Sequence, residues 1–195
     1  LGRPPRKPPY MIYFLCVSGV RAVKLYLPAK QAELDAVLDC LEVDSWQEVQ
    51  LEECDTAMPE MWAFVDMSHT SMEQVNQFSQ CLEMLDANGE LAAFKAVASQ
   101  LDIYKLEDAM ALAEHLSEYA FEPSIHSLED RAQEELALMA DGPELDLLIR
   151  NLNLTAYGAD LMYRDRGILS DYGYVHRPDG QPIHLPQQGM DMTMQ

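Results

Sequence analysis

Between Gln31 and Phe94 the chain contains no lysine or arginine, although the same stretch holds fifteen aspartates and glutamates. A run with no cations of its own repels nucleic acid and anionic membrane surfaces, which excludes both as direct partners. Aromatic residues make up only 8% of the chain and are not interleaved with bases, so stacking platforms for single strands are missing too. No apolar run approaches the length of a membrane span. No CxxC pair occurs either. Cys16, Cys40, Cys54 and Cys81 sit 24, 14 and 27 residues apart among apolar neighbours, which reads as reduced core thiols of a cytoplasmic protein.

The patterns that carry catalysis are also lacking. His69, His115, His126, His176 and His184 are scattered, with no HExxH and no Cys/His zinc spacing. Asp66 and His69 are three apart and read as a loop pair rather than a metal site. Ser18 lies in VSGV, a turn context without the GxSxG elbow, and no glycine-rich phosphate loop follows a strand. Carboxylates are so abundant that pairing any two carries no information. The sequence therefore predicts a protein that is not an enzyme, with no cofactor and no metal.

What it does have is a hydrophobic fraction of 48%, ordinary for a folded chain, and a formal net charge of −20. Residues 1–30 carry six bases and no acid, whereas residues 31–149 carry 28 acids against Lys95, Lys105 and Arg131. The charge belongs to the middle of the chain.

The periodicity predicts an α+β protein, an elongated chain of three small domains. Residues 1–10 form a flexible basic arm. Residues 11–67 form an N-terminal α+β domain: strands at Met11–Val17 and Ala22–Leu27 joined through Ser18-Gly19, a helix opened by Pro28 and running to Leu41, and short strands at Glu48–Cys54 and Met61–Val65. Residues 68–120 form a helical middle domain, with helices at Ser71–Leu85, Gly89–Leu101 and Leu106–Tyr119; Ser71 with Gln74 is a capping box. Residues 121–177 form a C-terminal α+β domain. Ser127 caps one helix, Pro143 starts another, and strands follow at Leu161–Arg164 and Ile168–Val175. Residues 178–195 form a loose tail that contains Met190, Met192 and Met194.

A charged helix face is usually a solvated face of mixed sign, because Glu–Lys pairs at i,i+4 stabilise a helix and like pairs oppose it. Here the neighbours are like-signed. Asp35, Asp39 and Glu42 form one ladder; Glu83, Asp86 and Glu90 a second; Glu114 and Glu118, and Asp130 and Glu134, two more, none with a lysine three or four residues away. With Glu107, Asp108, Glu129 and Glu135 they make up the predicted partner-binding surface. Duplex DNA carries one charge per roughly 1.7 Å, so the 28 acids of the middle segment match about 48 Å of duplex. A groove built for DNA would accept such a surface through its arginines and lysines.

The segment Ile149–Val175, IRNLNLTAYGADLMYRDRGILSDYGYV, resembles the C-terminal region of the ArdA antirestriction proteins, in which a helix leads into a Tyr-Gly-x-Asp-Leu turn (here Tyr157–Leu161) and then a β-hairpin. The upstream stretch Ser127–Gly142 is similar to the acidic-apolar helix of the same family, whose antirestriction motif would fall on Leu128, Glu129, Asp130, Ala132, Glu134 and Glu135. The N-terminus departs from the family: Cys16–Val20 stands where a Tyr-Asn-x-Gly loop is usual, and Arg21, Lys24 and Lys30 follow. The resemblance implies a divergent DNA mimic. Such a protein occupies the DNA-binding groove of a type I restriction-modification enzyme, as a homodimer, and is encoded on a mobile genetic element. The alternative is an acidic protein-interaction or regulatory module of a mobile element with another basic partner. A carboxylate- and metal-dependent hydrolase built around His69 or His115 is the remote third reading.

Overall fold

The computed structural model describes residues 8–56 and 70–186, and it is α+β. The predicted strand at Met61–Val65, the Asp66/His69 pair and the tail methionines lie outside the described residues. The chain divides into two compact units, Leu1–Leu91 with Ile103–Ala113, and Ala92–Asp102 with Glu114–Gln195. Residues 68–120, expected to form a middle domain, thus contribute to both.

The first unit opens with a hairpin, β1 (Ile12–Ser18) and β2 (Arg21–Leu27), paired antiparallel from Ile12↔Leu27 to Ser18↔Arg21. Gly19, at φ +60°, supplies the left-handed conformation that a two-residue hairpin turn requires. Alternation buries Ile12, Phe14, Cys16, Leu25 and Leu27 on one face. The strand β3 (Gln50–Thr56) pairs with the other edge of β1, giving the order β2-β1-β3 with a register shift between Leu15 and Cys16. Helix α1 (Gln31–Leu41) lays Leu34, Val37 and Leu41 into the core. It starts three residues after the predicted Pro28. Lys30 is the cap residue there, and the Glu33 carboxylate reaches back to accept from the Lys30 N–H at 2.7 Å.

Helix α2 (Met72–Ala87) carries the predicted capping box: the Gln74 N–H donates to Ser71 Oγ, and the Ser71 N–H to the Gln74 side-chain oxygen. Its apolar stripe Met72, Val75, Phe78, Leu82 and Leu85 is buried. Asn76 lies on the same side and acts as a backbone surrogate, accepting from Ala29 N–H at 2.8 Å and donating to Ala29 C=O at 2.9 Å. Helix α4 (Leu106–Glu114) completes this unit with Leu106, Ala109 and Leu112; its last residue, Glu114, counts with the second.

The second unit takes helix α3 (Leu91–Ala98) beyond its first residue, with Phe94, Ala96, Val97 and Ala98 buried. A 3-10 turn at Leu116–Glu118 leads into β4 (Ala120–Glu122), so the predicted helix Leu106–Tyr119 ends early. Three helices follow: α5 (Leu128–Met139), α6 (Gly142–Asn151) and α7 (Leu154–Asp165). The hairpin β5 (Ile168–Ser170) and β6 (Gly173–His176) closes an antiparallel sheet of order β4-β6-β5.

Two expectations are corrected in α7. The Tyr157–Leu161 stretch is not a turn, and Leu161–Arg164 is not a strand; both are helical. Asn153 caps the helix by accepting from Ala156 N–H at 3.1 Å, and Gly158 does not break it because α7 packs on α5 there at backbone distance.

Candidate functional site

In the first unit the acids face solvent. Asp35 and Asp39 stand one turn apart on α1, both exposed, and among the described residues the one side-chain hydrogen bond of either carboxylate is from the Gln31 amide to Asp35 at 2.7 Å. Glu42, the third member of that ladder, is different. It caps α1 with φ +57° and is ion-paired to Arg21, which holds its carboxyl below the usual range. Glu83 is exposed on α2 and Asp86 is half-buried, both beside the Tyr10 hydroxyl. Glu90 does not continue their helix: α2 ends at Ala87, Gly89 turns the chain at φ +75°, and Glu90 takes a hydrogen bond from Asn88 at 3.4 Å. Glu107 and Asp108 occupy the first turn of α4, where negative charge suits the helix dipole. Among the described residues of this unit, Asp35, Asp39, Glu83, Glu90 and Glu107 have no lysine or arginine partner.

In the second unit the predicted surface is largely consumed by the fold. Glu114, at the end of α4, is exposed, but Glu118 lies in the 3-10 turn instead of one helical turn on. Glu118 accepts from Arg177 Nη1 at 3.1 Å and lies 3.1 Å from His115. Asp130 is a capping carboxylate, accepting from the His126 N–H at 3.0 Å; that bond and one from Ser127 lower its pKa. Glu129 accepts from the Thr155 hydroxyl of α7, which lowers its pKa in turn. Glu135 belongs to an alternating ring. Arg131 donates to Glu135 at 3.0 Å and to Asp165 at 2.8 Å, while Arg164 donates to Asp165 at 3.0 Å and lies 3.6 Å from Glu135. Burial pushes the Asp165 carboxyl up, but the two guanidiniums outweigh it and hold it below its ordinary value.

Glu134 lines a cavity of about 390 Å³ together with Glu122, His176 and the four members of the ring, Arg131, Glu135, Arg164 and Asp165, among others. A hydrogen bond to Glu122, then burial and the Glu122 charge, push its carboxyl up to about 7. His176 Nδ1 is 3.9 Å from Glu122, and burial lowers the pKa of its ring.

The sequence reading did not single out Arg131, Asp165, Glu122 or His176. One signal was available: Arg131 is the lone base between Lys105 and Arg150 and precedes Glu135 by one helical turn. The ladder Asp130–Glu134 has no lysine, but this arginine compensates its neighbours.

Exposed large apolar side chains occur in both units: Val20, Tyr26, Met84 and Tyr104 in the first, and Leu138 and Met139 on α5, Leu147 on α6, Leu152 after it and Tyr163 on α7 in the second. Helix α6 buries none of its residues fully. Among the described residues no group of three or more His, Cys, Asp or Glu is arranged to hold a metal, and no helix is long and apolar enough to cross a membrane. No family model matches the chain, and no curated protein does.

Proposed function

We propose that this chain is a non-catalytic acidic ligand of a basic, DNA-binding protein. It acts in the cytoplasm as an antirestriction protein of the ArdA kind, occupying the DNA-binding groove of a type I restriction-modification enzyme in place of B-form DNA. The observation that carries this reading is the set of exposed carboxylates in the first unit, Asp35, Asp39, Glu83, Glu90 and Glu107, which have no lysine or arginine partner among the described residues. Forgoing Glu–Lys pairs on solvated helices gives up stabilisation of about 0.2–0.5 kcal/mol each, which is reasonable where the field itself is used. In the second unit the hairpin β5–β6 expected from the resemblance is present, although the Tyr157–Leu161 segment before it is helical and not a turn. The family's three-domain plan and its homodimer belong to the same proposal.

Leu138, Met139, Leu147 and Tyr163 leave apolar surface on the second unit, which also exposes Asp141, Glu144 and Asp146. That combination favours a second reading, an acidic regulatory module of a mobile element that docks a different basic partner.

The test is competition. The purified chain is titrated into a type I methyltransferase core bound to labelled cognate DNA, at two salt concentrations. Stoichiometric displacement that weakens with salt, and is lost with Asp35→Lys and Asp39→Lys together, is the expected result. No displacement at large excess overturns the antirestriction reading in favour of the second.

A further inference from the structure

We propose that Glu122 and Glu134 form a proton latch within the second unit, closed while the two carboxyl groups share a proton and released when that proton leaves. Glu122 ends β4, Glu134 lies in the middle of α5, and both face the same cavity. The Glu134 Oε2 atom is buried with no N–H or hydroxyl donor within reach.

The terminal guanidinium nitrogens near the pair are engaged elsewhere, while Arg131 Nε is buried without a hydrogen-bond partner and the Arg131 charge opposes the rise of Glu134. On α5, Arg131 donates to Glu135 and to Asp165; on α7, Arg164 is held by the same two acids. Arg177, just after β6, is bound by Glu118 and Asp179. From β6, His176 approaches Glu122 only to 3.9 Å, and its burial favours the neutral ring. Glu122 and Glu134 are both half-buried, and two carboxylates meeting in such a site repel unless a cation or a proton stands between them. With those terminal nitrogens committed, the proton is what remains, and a carboxyl–carboxylate hydrogen bond is among the strong ones.

The rise of the Glu134 carboxyl to about 7 fits this arrangement and puts the switching point near neutrality. Below it, Glu134 donates to Glu122 and ties β4 to α5. Above it, two like charges face each other across the cavity, and their repulsion loosens β4 from the helix. The inference does not depend on the antirestriction reading, because it concerns a contact internal to one unit.

The test uses the full chain labelled with carbon-13 at glutamate side-chain carboxyls, titrated from about pH 5 to about pH 9, with amide exchange followed in parallel. The expected result is a Glu134 resonance titrating near neutrality with Glu122 responding at the same pH. Exchange protection of β4, corrected for the intrinsic pH dependence, falls by about tenfold across that range while β1 is unchanged. Glu134→Gln, neutral at every pH, keeps the protection of β4 flat. A Glu134 that titrates in the ordinary carboxylate range overturns the proposal, and so does protection that falls equally in wild type and E134Q. If the variant does not fold, the wild-type titration decides alone.

Discussion

Gly158 of α7 lies against the backbone of Leu128 in α5, so close that a Cβ built on it would stand 1.9 Å from the Leu128 carbonyl oxygen. The obstacle is main chain, which cannot rotate aside as a side-chain tip would. Gly158→Ala therefore forces the two helices apart, even though alanine is the better helix former. The expected loss is about 3 kcal/mol or more, near the upper end for overpacking, read as a lower denaturation midpoint at unchanged slope. A Gly158→Ala variant as stable as wild type would show that α7 does not cross α5 there.

Asn76 satisfies both backbone groups of Ala29 from inside the first unit. Asn76→Leu keeps the volume but leaves a buried donor and a buried acceptor unpaired. Each costs about 1–3 kcal/mol, so thermal melting should drop by several degrees. Asn76→Asp is expected to recover little, because a carboxylate can accept from Ala29 N–H but cannot donate to its carbonyl.

Arg131 holds two acids from a side chain only 10% exposed. Arg131→Met leaves Glu135 and Asp165 facing each other with only Arg164 between them, and a cost of about 3–5 kcal/mol is expected for a broken buried pair. Asp165→Asn in the same background should restore part of that loss, since it removes one of the stranded charges. The double-mutant cycle by chemical denaturation measures the coupling.

Stability should peak on the acid side of neutrality. Glu134 is raised in the folded state to about 7, so its contribution is full below its unfolded value and is lost as pH rises through about 7. Asp179 is lowered to about 2, chiefly by Arg177, and Asp165 and Asp130 are lowered as well. Their contributions are present above the unfolded aspartate range and vanish as pH falls toward about 2. Urea midpoints measured between these limits should trace a dome, and E134Q should flatten only its neutral limb.

Much of the local structure was legible because its causes are local. Ser71 with Gln74, Ser127 before α5, Pro143 in the first turn of α6 and Gly19 in the hairpin each act within a few residues, and each element formed where the sequence put it. What escaped depends on partners far apart in the chain. Arg131 and Asp165 are 34 residues apart, and the role of Gly158 is set by Leu128 on another helix. The turn at Tyr157-Gly158 is what the family resemblance implies, whereas here the missing side chain of Gly158 makes room for a neighbouring helix. The acid surface failed in the same way. Periodicity placed Asp35 with Asp39 and Glu83 with Asp86, but it could not say that Glu42, Glu90 and Glu118 fall outside their helices or that Glu129, Asp130 and Glu135 are bound within their own unit.

The ring of Arg131, Arg164, Glu135 and Asp165 also bears on how this chain can drift under mutation. Asp35 and Asp39 are bound to no cation among the described residues, so an aspartate lost from one exposed position of α1 can be replaced by one gained at another with the field almost unaltered. Glu135 and Asp165 have no such latitude, because each is tied to two particular nitrogens on two helices. Acidity on the exposed face of α1 is a property of the total, and in the ring it is a property of addresses.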